Sequence, residues 1–206
     1  MTLSKTAQST LPTRFGDFFI QVYADGPEHA DSGRLEHIAL IAGQPEALRP
    51  GSLVRIHSEC ATGDLFGSRR CDCGEQLDRS LSMIGAAGQG VLIYLRGHEG
   101  RGIGLGPKIE AYALQDQGLD TVEANHQLGF AADQRHYDAA VASLRALGLD
   151  RVRLITNNPD KIAALEDGGI AIVERVPIWT GANPDNRRYL ETKRALMGHL
   201  GDLAAE

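Results

Sequence analysis

No run in this sequence approaches the ~18 apolar residues that a helical membrane span requires, and residues 1–14 lack the apolar centre of a signal peptide. A cytoplasmic chain with no membrane partner is therefore expected. Positive charge is also scarce: 21 Lys and Arg against 27 Asp and Glu leave a formal charge of −6. Duplex nucleic acid is normally held by a basic face, so nucleic acid is not an expected partner. A small anion can still be bound where arginines gather against the overall field. Cysteine is rare and odd in number, three in 206 residues. Such a set cannot pair completely within one chain, and cytoplasmic thiols stay reduced, so a disulfide framework is not the explanation. Internal repeats and low-complexity tracts are absent as well.

What is present is a soluble composition, 42% hydrophobic and 23% charged with 24 glycines, long enough to bury a core without staples. We expect one domain over residues 1–206, with about 1–12 and 201–206 flexible. Strand-like pieces at Phe15 to Tyr23, Leu35 to Ile41 and Leu53 to Ile56 are separated by loops at 24–33 and 43–51, and they suggest an antiparallel meander. From Gln76 to Arg175 the pattern alternates helix-strand-helix-helix-strand-helix-strand, which is the signature of an α/β layer. The expected fold class is α/β, with N-terminal antiparallel strands joined to that layer in a mixed sheet. A final amphipathic helix is expected from Pro184.

All three cysteines lie between Arg55 and Gln76, as Cys60, Cys71 and Cys73. Thiolates are the preferred soft ligands of zinc, and a helix start after Cys73 favours the thiolate form. Three thiolates leave one tetrahedral position open for water, the pattern of a catalytic site; His57 as a fourth ligand would make the site structural instead. Both readings stand on spacing alone. Glu59 or Asp72 is a candidate proton acceptor. His57-Ser58-Glu59 matches the first half of the zinc deaminase signature, but the P-C-x-x-C half is missing.

Downstream, Arg96-Gly-His-Glu99-Gly-Arg101-Gly-Ile-Gly-Leu-Gly106 passes from strand to helix with glycines that admit backbone N–H groups close to a phosphate. It matches neither common phosphate-loop spacing. Asn158-Pro159 starts another helix, with Asn158 as cap, and Lys161 in its first turn points to solvent or to an anionic ligand. Asp120 to His126 reads as a loop, and Asp133 is a candidate cap for the helix that follows. Tyr112 shares a helix face with Leu105 and Ile109, so a core position is the plain alternative to a catalytic one.

Arg55-Ile-His-Ser-Glu-Cys60, Thr62-Gly-Asp64, Arg70-Cys-Asp-Cys-Gly74, Arg96 to Leu105, Ala111 to Asp116, Asp120 to Asn125, Leu154 to Pro159 and Glu174 to Pro177 together resemble the GTP cyclohydrolase II family of riboflavin biosynthesis. The resemblance implies zinc on Cys60, Cys71 and Cys73, with zinc-activated water attacking C8 of GTP. Formate and pyrophosphate leave, giving a diaminopyrimidinone ribosylamino phosphate, with magnesium assisting at the triphosphate. It implies GTP contacts from Arg55, Ile56, His57, Ser58, Glu59, Gln76, Glu99, Gly100, Arg101, Thr121, Thr156 and Lys161. Asp133 matches the family's proton acceptor and Arg135 its proposed nucleophile toward the α-phosphate; as a permanent cation, Arg135 is more readily a charge clamp. Glu99 has the chemistry to accept from guanine N1–H and its amino group, and Tyr112 matches a position tied to formate loss. A homodimer is implied, and the lack of an N-terminal fusion region suggests a stand-alone form. Two alternatives remain: a purine-nucleotide hydrolase that stops before formate loss, and a non-catalytic zinc protein that binds nucleotides.

Overall fold

In the computed structural model, residues 3–25 and 35–200 are described. The loop expected at 24–33, apart from Ala24 and Asp25, and the tail 201–206 lie outside them. Seven strands form one mixed sheet in the order β1-β2-β3-β5-β4-β6-β7, comprising β1 Leu3–Thr13, β2 Gly16–Asp25, β3 Glu36–Ala42, β4 Ser52–Ser58, β5 Gly90–Leu95, β6 Arg151–Ile155 and β7 Ala171–Val176. β1, β2, β3 and β5 pair antiparallel, whereas β5, β4, β6 and β7 are parallel. The mixed α/β sheet expected from the sequence is thus present.

Two local expectations change. Leu3–Thr13, expected to be largely loose, is a strand registered against β2 from Leu3↔Asp25 to Thr13↔Gly16. Its side chains alternate polar and apolar only weakly, so backbone pairing rather than a hydrophobic stripe defines it. The meander also stops at β3: β5 inserts between β3 and β4, because β4 returns through a crossover helix instead of a hairpin.

That crossover is α2 (Cys73–Ala87), preceded by the short α1 (Ala61–Asp64); α3 (Leu105–Asp116), α4 (Thr121–Gln127) and α5 (Asp138–Ala146) link β5 to β6, α6 (Pro159–Asp167) links β6 to β7, and α7 (Arg187–Met197) closes the described chain. The segment expected as a loop at 120–126 is α4. Asp120 accepts from the N–H groups of Val122 and Glu123, while Glu123 reaches back to the Asp120 N–H, a complete capping box. Asp133 does not cap α5, whose N-cap is Tyr137. The last helix starts three residues beyond Pro184 because the Asn183 side chain draws in the Asp185 and Asn186 N–H groups as a turn.

Strand alternation decides what each face receives. Val54 and Ile56 of β4 enter a core with Val91, Ile93, Leu154 and the α5 side chains Ala140 and Leu144. Leu53 lies on the opposite face with Leu92, Ile155, Leu81 and Ile84 of α2, and Arg55 and His57 follow it by period. β4 is also where the chain reverses its direction of winding, with β5 added on one side and β6 on the other. Open α/β sheets bind ligands at the carboxyl ends of strands at such a switch point.

Candidate active site

The carboxyl ends of β4, β5 and β6 deliver Ser58–Cys60, Gly97–Arg101 and Thr156–Asn158 to one crevice. The sulfur atoms of Cys60, Cys71 and Cys73 all lie within 4.8 Å of one another, and Cys60 Sγ is 3.8 Å from Cys71 Sγ. Tetrahedral zinc with 2.3 Å bonds to sulfur needs thiolates about 3.8 Å apart, so this donor set fits the ion. The backbone is shaped around it: a Cβ on Gly63 would stand 2.9 Å from Cys71 Sγ, 2.9 Å from Cys73 Cβ and 3.3 Å from Cys60 Sγ. A Cβ on Gly74 would meet the Gly63 carbonyl oxygen at 2.5 Å. Hydrogen bonds from the other two thiols, aided by Lys108, hold the Cys60 pKa well below the ordinary thiol range, while the hydrogen bond to Cys60, with burial, in turn pushes Cys71 up to about 11.

His57, whose part spacing left open, does not join the cluster. Its Nε2 lies 3.1 Å from Asp64 Oδ1, and Asp64 Oδ2 accepts from the Cys60 N–H at 3.0 Å and Tyr94 OH at 2.8 Å. His57 stacks on Tyr94 with ring centroids 5.5 Å apart. It therefore orders the backbone that presents Cys60, and among the described residues the possible metal ligands at this cluster are the three cysteines.

The two candidate proton acceptors separate. Asp72 is buried and accepts from Lys193 (2.8 and 3.1 Å), Gln76 (2.5 Å) and Thr180 (3.1 Å). Burial works against its charge, yet the Lys193 ammonium together with the Gln76 and Thr180 hydrogen bonds lowers its pKa, and these partners tie its oxygens up. Glu59 is partly open, lines the cavity beside the thiols, and is held by the Gly97 N–H at 2.7 Å.

Two adjoining chambers share Ser58, Cys73, Arg101, Arg135 and Tyr189 as walls. One contains the thiols together with Glu59, Lys108, Tyr112 and Thr121. The other is lined by Arg55, Arg101, Arg135, Lys161 and Lys193, with Gln76, Thr156 and Asn158, and among the described residues no carboxylate lines it. Arg55 donates to the Ile155 carbonyl and to Gln76 Oε1, and its buried Nε has no partner. Burial pulls its pKa down to about 10. Lys161, 5% exposed, donates to the Ile56 carbonyl at 2.8 Å. Burial and then the neighbouring Arg55 and Arg135 drive its pKa well below the ordinary lysine value. Arg101 sits at φ 65°, the non-glycine exception among positive-φ positions of the described residues, and its Nη2 is buried without a partner. Buried cations without counterions are costly, so this chamber is built for an anion.

Most expected site residues meet here, but not all by their side chains. Ile56 is fully buried in the core and offers the crevice only backbone. Glu99 lines neither chamber; its carboxylate accepts from Lys108 Nζ at 2.5 Å and the Ala61 N–H at 2.6 Å. Thr156 Oγ1 accepts the Asn158 N–H. Asp133 grips Arg135 through Nε, Nη2 and the backbone N–H. Burial opposes that guanidinium charge, yet the Asp133 hydrogen bonds and charge, with Tyr137 and Tyr189 nearby, together raise the pKa further. Tyr112 lines the thiol chamber under the Arg70 guanidinium, whereas Leu105 and Ile109 are 45% and 48% exposed, so this helix face is not core.

Lys108, Tyr189 and Lys193 were not anticipated. Lys108 Nζ lies 3.1 Å from Cys60 Sγ; its position three residues into a glycine-rich helix start was the available signal. Tyr189 and Lys193 are four apart on α7, where Tyr189 reads in sequence as part of an amphipathic stripe with Leu196 and Leu200 and Lys193 carries no signal.

A family model described as GTP cyclohydrolase II matches residues 4–177. The GTP cyclohydrolase-2 of Cronobacter sakazakii is 54% identical over 200 residues, covering 97% of this chain and 98% of that one. The GTP cyclohydrolase-2 of Salmonella typhimurium is 53% identical with the same coverage. Among solved structures, a two-domain 3,4-dihydroxy-2-butanone 4-phosphate synthase from A. baumannii aligns at TM-score 0.45 and 20% identity, over 87% of this chain and 41% of that one. A likeness of that degree fixes neither fold nor function.

Proposed function

The chain belongs to the GTP cyclohydrolase II family, and from that premise we propose that it hydrolyses GTP to formate, pyrophosphate and a diaminopyrimidinone ribosylamino phosphate, as the first committed step of riboflavin biosynthesis. The observation that carries this reading is the pairing of a three-thiol cluster with a cationic chamber that, among the described residues, no carboxylate lines. One end suits an attack on a purine carbon, and the other suits a triphosphate.

Cys60, Cys71 and Cys73 would hold Zn2+. When bound, zinc supplies Lewis acidity toward the water that attacks the ring. Three thiolates give such a site one net negative charge, which Lys108 offsets beside Cys60, while Glu99 holds Lys108 in place. Glu99 thus supports the site through Lys108, and Gly100, Arg101 and Thr121 are the nearer candidates for the guanosine. Glu59 accepts the proton lost by the attacking water. Tyr112, its pKa raised by burial, remains a protonated phenol that donates to the purine nitrogen as a second water cleaves its bond to the formyl carbon, which departs as formate.

On the phosphate side, Arg55, Ser58, Arg101, Thr156 and Lys161 bind the chain of phosphates. Arg135, locked by Asp133 on three donor groups, clamps the α-phosphate. Its permanent charge leaves no lone pair for nucleophilic attack. Because no carboxylate among the described residues lines the chamber, Mg2+ would arrive on the triphosphate rather than wait on the protein. The seven-stranded sheet supports one domain over the chain. A homodimer is supported by the exposed Leu65, Phe66, Leu105 and Ile109, on neighbouring elements joined by the Lys108–Thr62 hydrogen bond; Phe66→Glu should then yield monomers in light scattering.

The test is incubation with GTP, Zn2+ and Mg2+, followed by proton and phosphorus NMR. Formate and pyrophosphate should both appear in the wild type, and formate should vanish in Cys71→Ser. Ring-opened product without formate would favour a hydrolase that stops early, and unchanged GTP with tight binding would favour a non-catalytic role.

A further inference from the structure

The family match ends at residue 177, yet the crevice continues beyond it. α7 is seated at both ends: Asn186, fully buried, is tied to Gly181 and Asn183, the Gly181 N–H donates to Glu75, and the Leu200 N–H donates to the Asn157 carbonyl at 2.8 Å. Residues four apart on a helix share a face, and here that face carries Tyr189 and Lys193 inward. Tyr189 lines both chambers, with the Lys193 ammonium 5.1 Å and the Arg101 guanidinium 6.0 Å from its ring centre.

Resting on the reading of this crevice as a GTP site, we propose that α7 completes it. Lys193 is a ligand of the phosphate chain, prepositioned by Asp72, and Tyr189 is the partition between the purine and phosphate chambers. Asp72 suits this task because it is the residue between two of the clustered cysteines, and its oxygens are already fixed by Gln76 and Thr180. A free lysine would have to surrender its rotamer freedom on meeting phosphate; Lys193 has done so beforehand, with its side chain 13% exposed. Its charge is the fifth in a chamber where Arg55, Arg101 and Lys161 face no lining carboxylate. A phosphate oxygen can share the Lys193 ammonium with Asp72, since an ammonium has three donors.

The test compares wild type, Lys193→Gln, Lys193→Arg and the double variant Lys193→Gln/Asp72→Asn, which removes the pair without orphaning the buried carboxylate. Zinc content and thermal melting are measured on each full-length protein. KM and kcat for GTP are taken on the zinc-loaded enzyme, and Kd for GTP, GDP and GMP by calorimetry on chelator-treated protein. Lys193→Gln and the double variant should weaken GTP binding and raise KM by about tenfold or more, with zinc content unchanged and kcat altered less. The loss should shrink from GTP to GDP to GMP, and Lys193→Arg should restore most of it. Equal losses for the three nucleotides, or a loss confined to kcat or zinc content, would overturn the phosphate role and leave Lys193 as a mere support for Asp72. A wild type that binds none of the three nucleotides would instead overturn the GTP reading, and this inference with it.

Discussion

Replacing Gly63 by alanine tests whether the three thiols form a metal site shaped by the backbone. Gly63 lies in α1 and does not adopt a positive φ, so alanine is conformationally welcome there and only space is at issue. Its new methyl would sit 2.9 Å from both Cys71 Sγ and Cys73 Cβ, at least roughly 0.6 Å inside the optimal separation of non-bonded carbon atoms. A zinc site tolerates displacements of only about 0.2 Å from ideal bond lengths, so the sulfurs cannot yield by that much and still close on the ion. The expected outcome is a fold retained by circular dichroism with zinc affinity lowered roughly 10- to 100-fold, the range seen when groups supporting metal ligands are altered. A competition titration against a chromophoric chelator measures this. GTP turnover should fall at limiting zinc and recover partly in excess. Wild-type zinc affinity in Gly63→Ala would refute the reasoning, because the contact distances would then not govern the cluster.

Other outcomes follow from the buried charges and the caps. Lys161→Met removes a buried cation with no carboxylate partner, so it should raise the melting temperature while weakening GTP binding roughly tenfold or more; a stability loss with binding intact would contradict the anion chamber. His98 is held down to about 3 by burial and then by Arg135 and Lys161, whereas the unfolded imidazole takes a proton near its ordinary 6.5. Its stabilising effect is therefore complete above that value and is lost on acidification, at about 1.4 kcal/mol per pH unit. His98→Gln should flatten the pH dependence of urea denaturation between pH ~6.5 and ~4 relative to wild type. Asp120→Ala breaks the capping box of α4 and should cost about 1 kcal/mol, or about 2–4 °C in melting temperature, with a higher KM for GTP because Thr121 opens that helix.

Short-range chemistry was legible from the sequence alone. The clustered cysteines, the helix beginning at Cys73, the Asn158-Pro159 start of α6 and the strands of the layer are set by ligand softness, capping and hydrophobic period, which act within a few residues. Even there, Asp120-Thr-Val-Glu123 reads as a loop by its polar composition, although its spacing is that of a capping box. Tertiary structure alone decided which partner each charged group meets. Strand order placed β5 between β3 and β4, and β4's period sent Ile56 to the core but Arg55 to the crevice. Asp72 looks like a free carboxylate beside two cysteines until α7 arrives 121 residues later with Lys193. Glu99 looks like a ligand reader until Lys108 and the Ala61 N–H occupy both of its oxygens. His57 looks like a fourth metal ligand until Asp64 takes its Nε2. A residue's type fixes what it can bind, but which partner it does bind depends on distance and on the water excluded around it, and in this chain those come from contacts far apart in sequence.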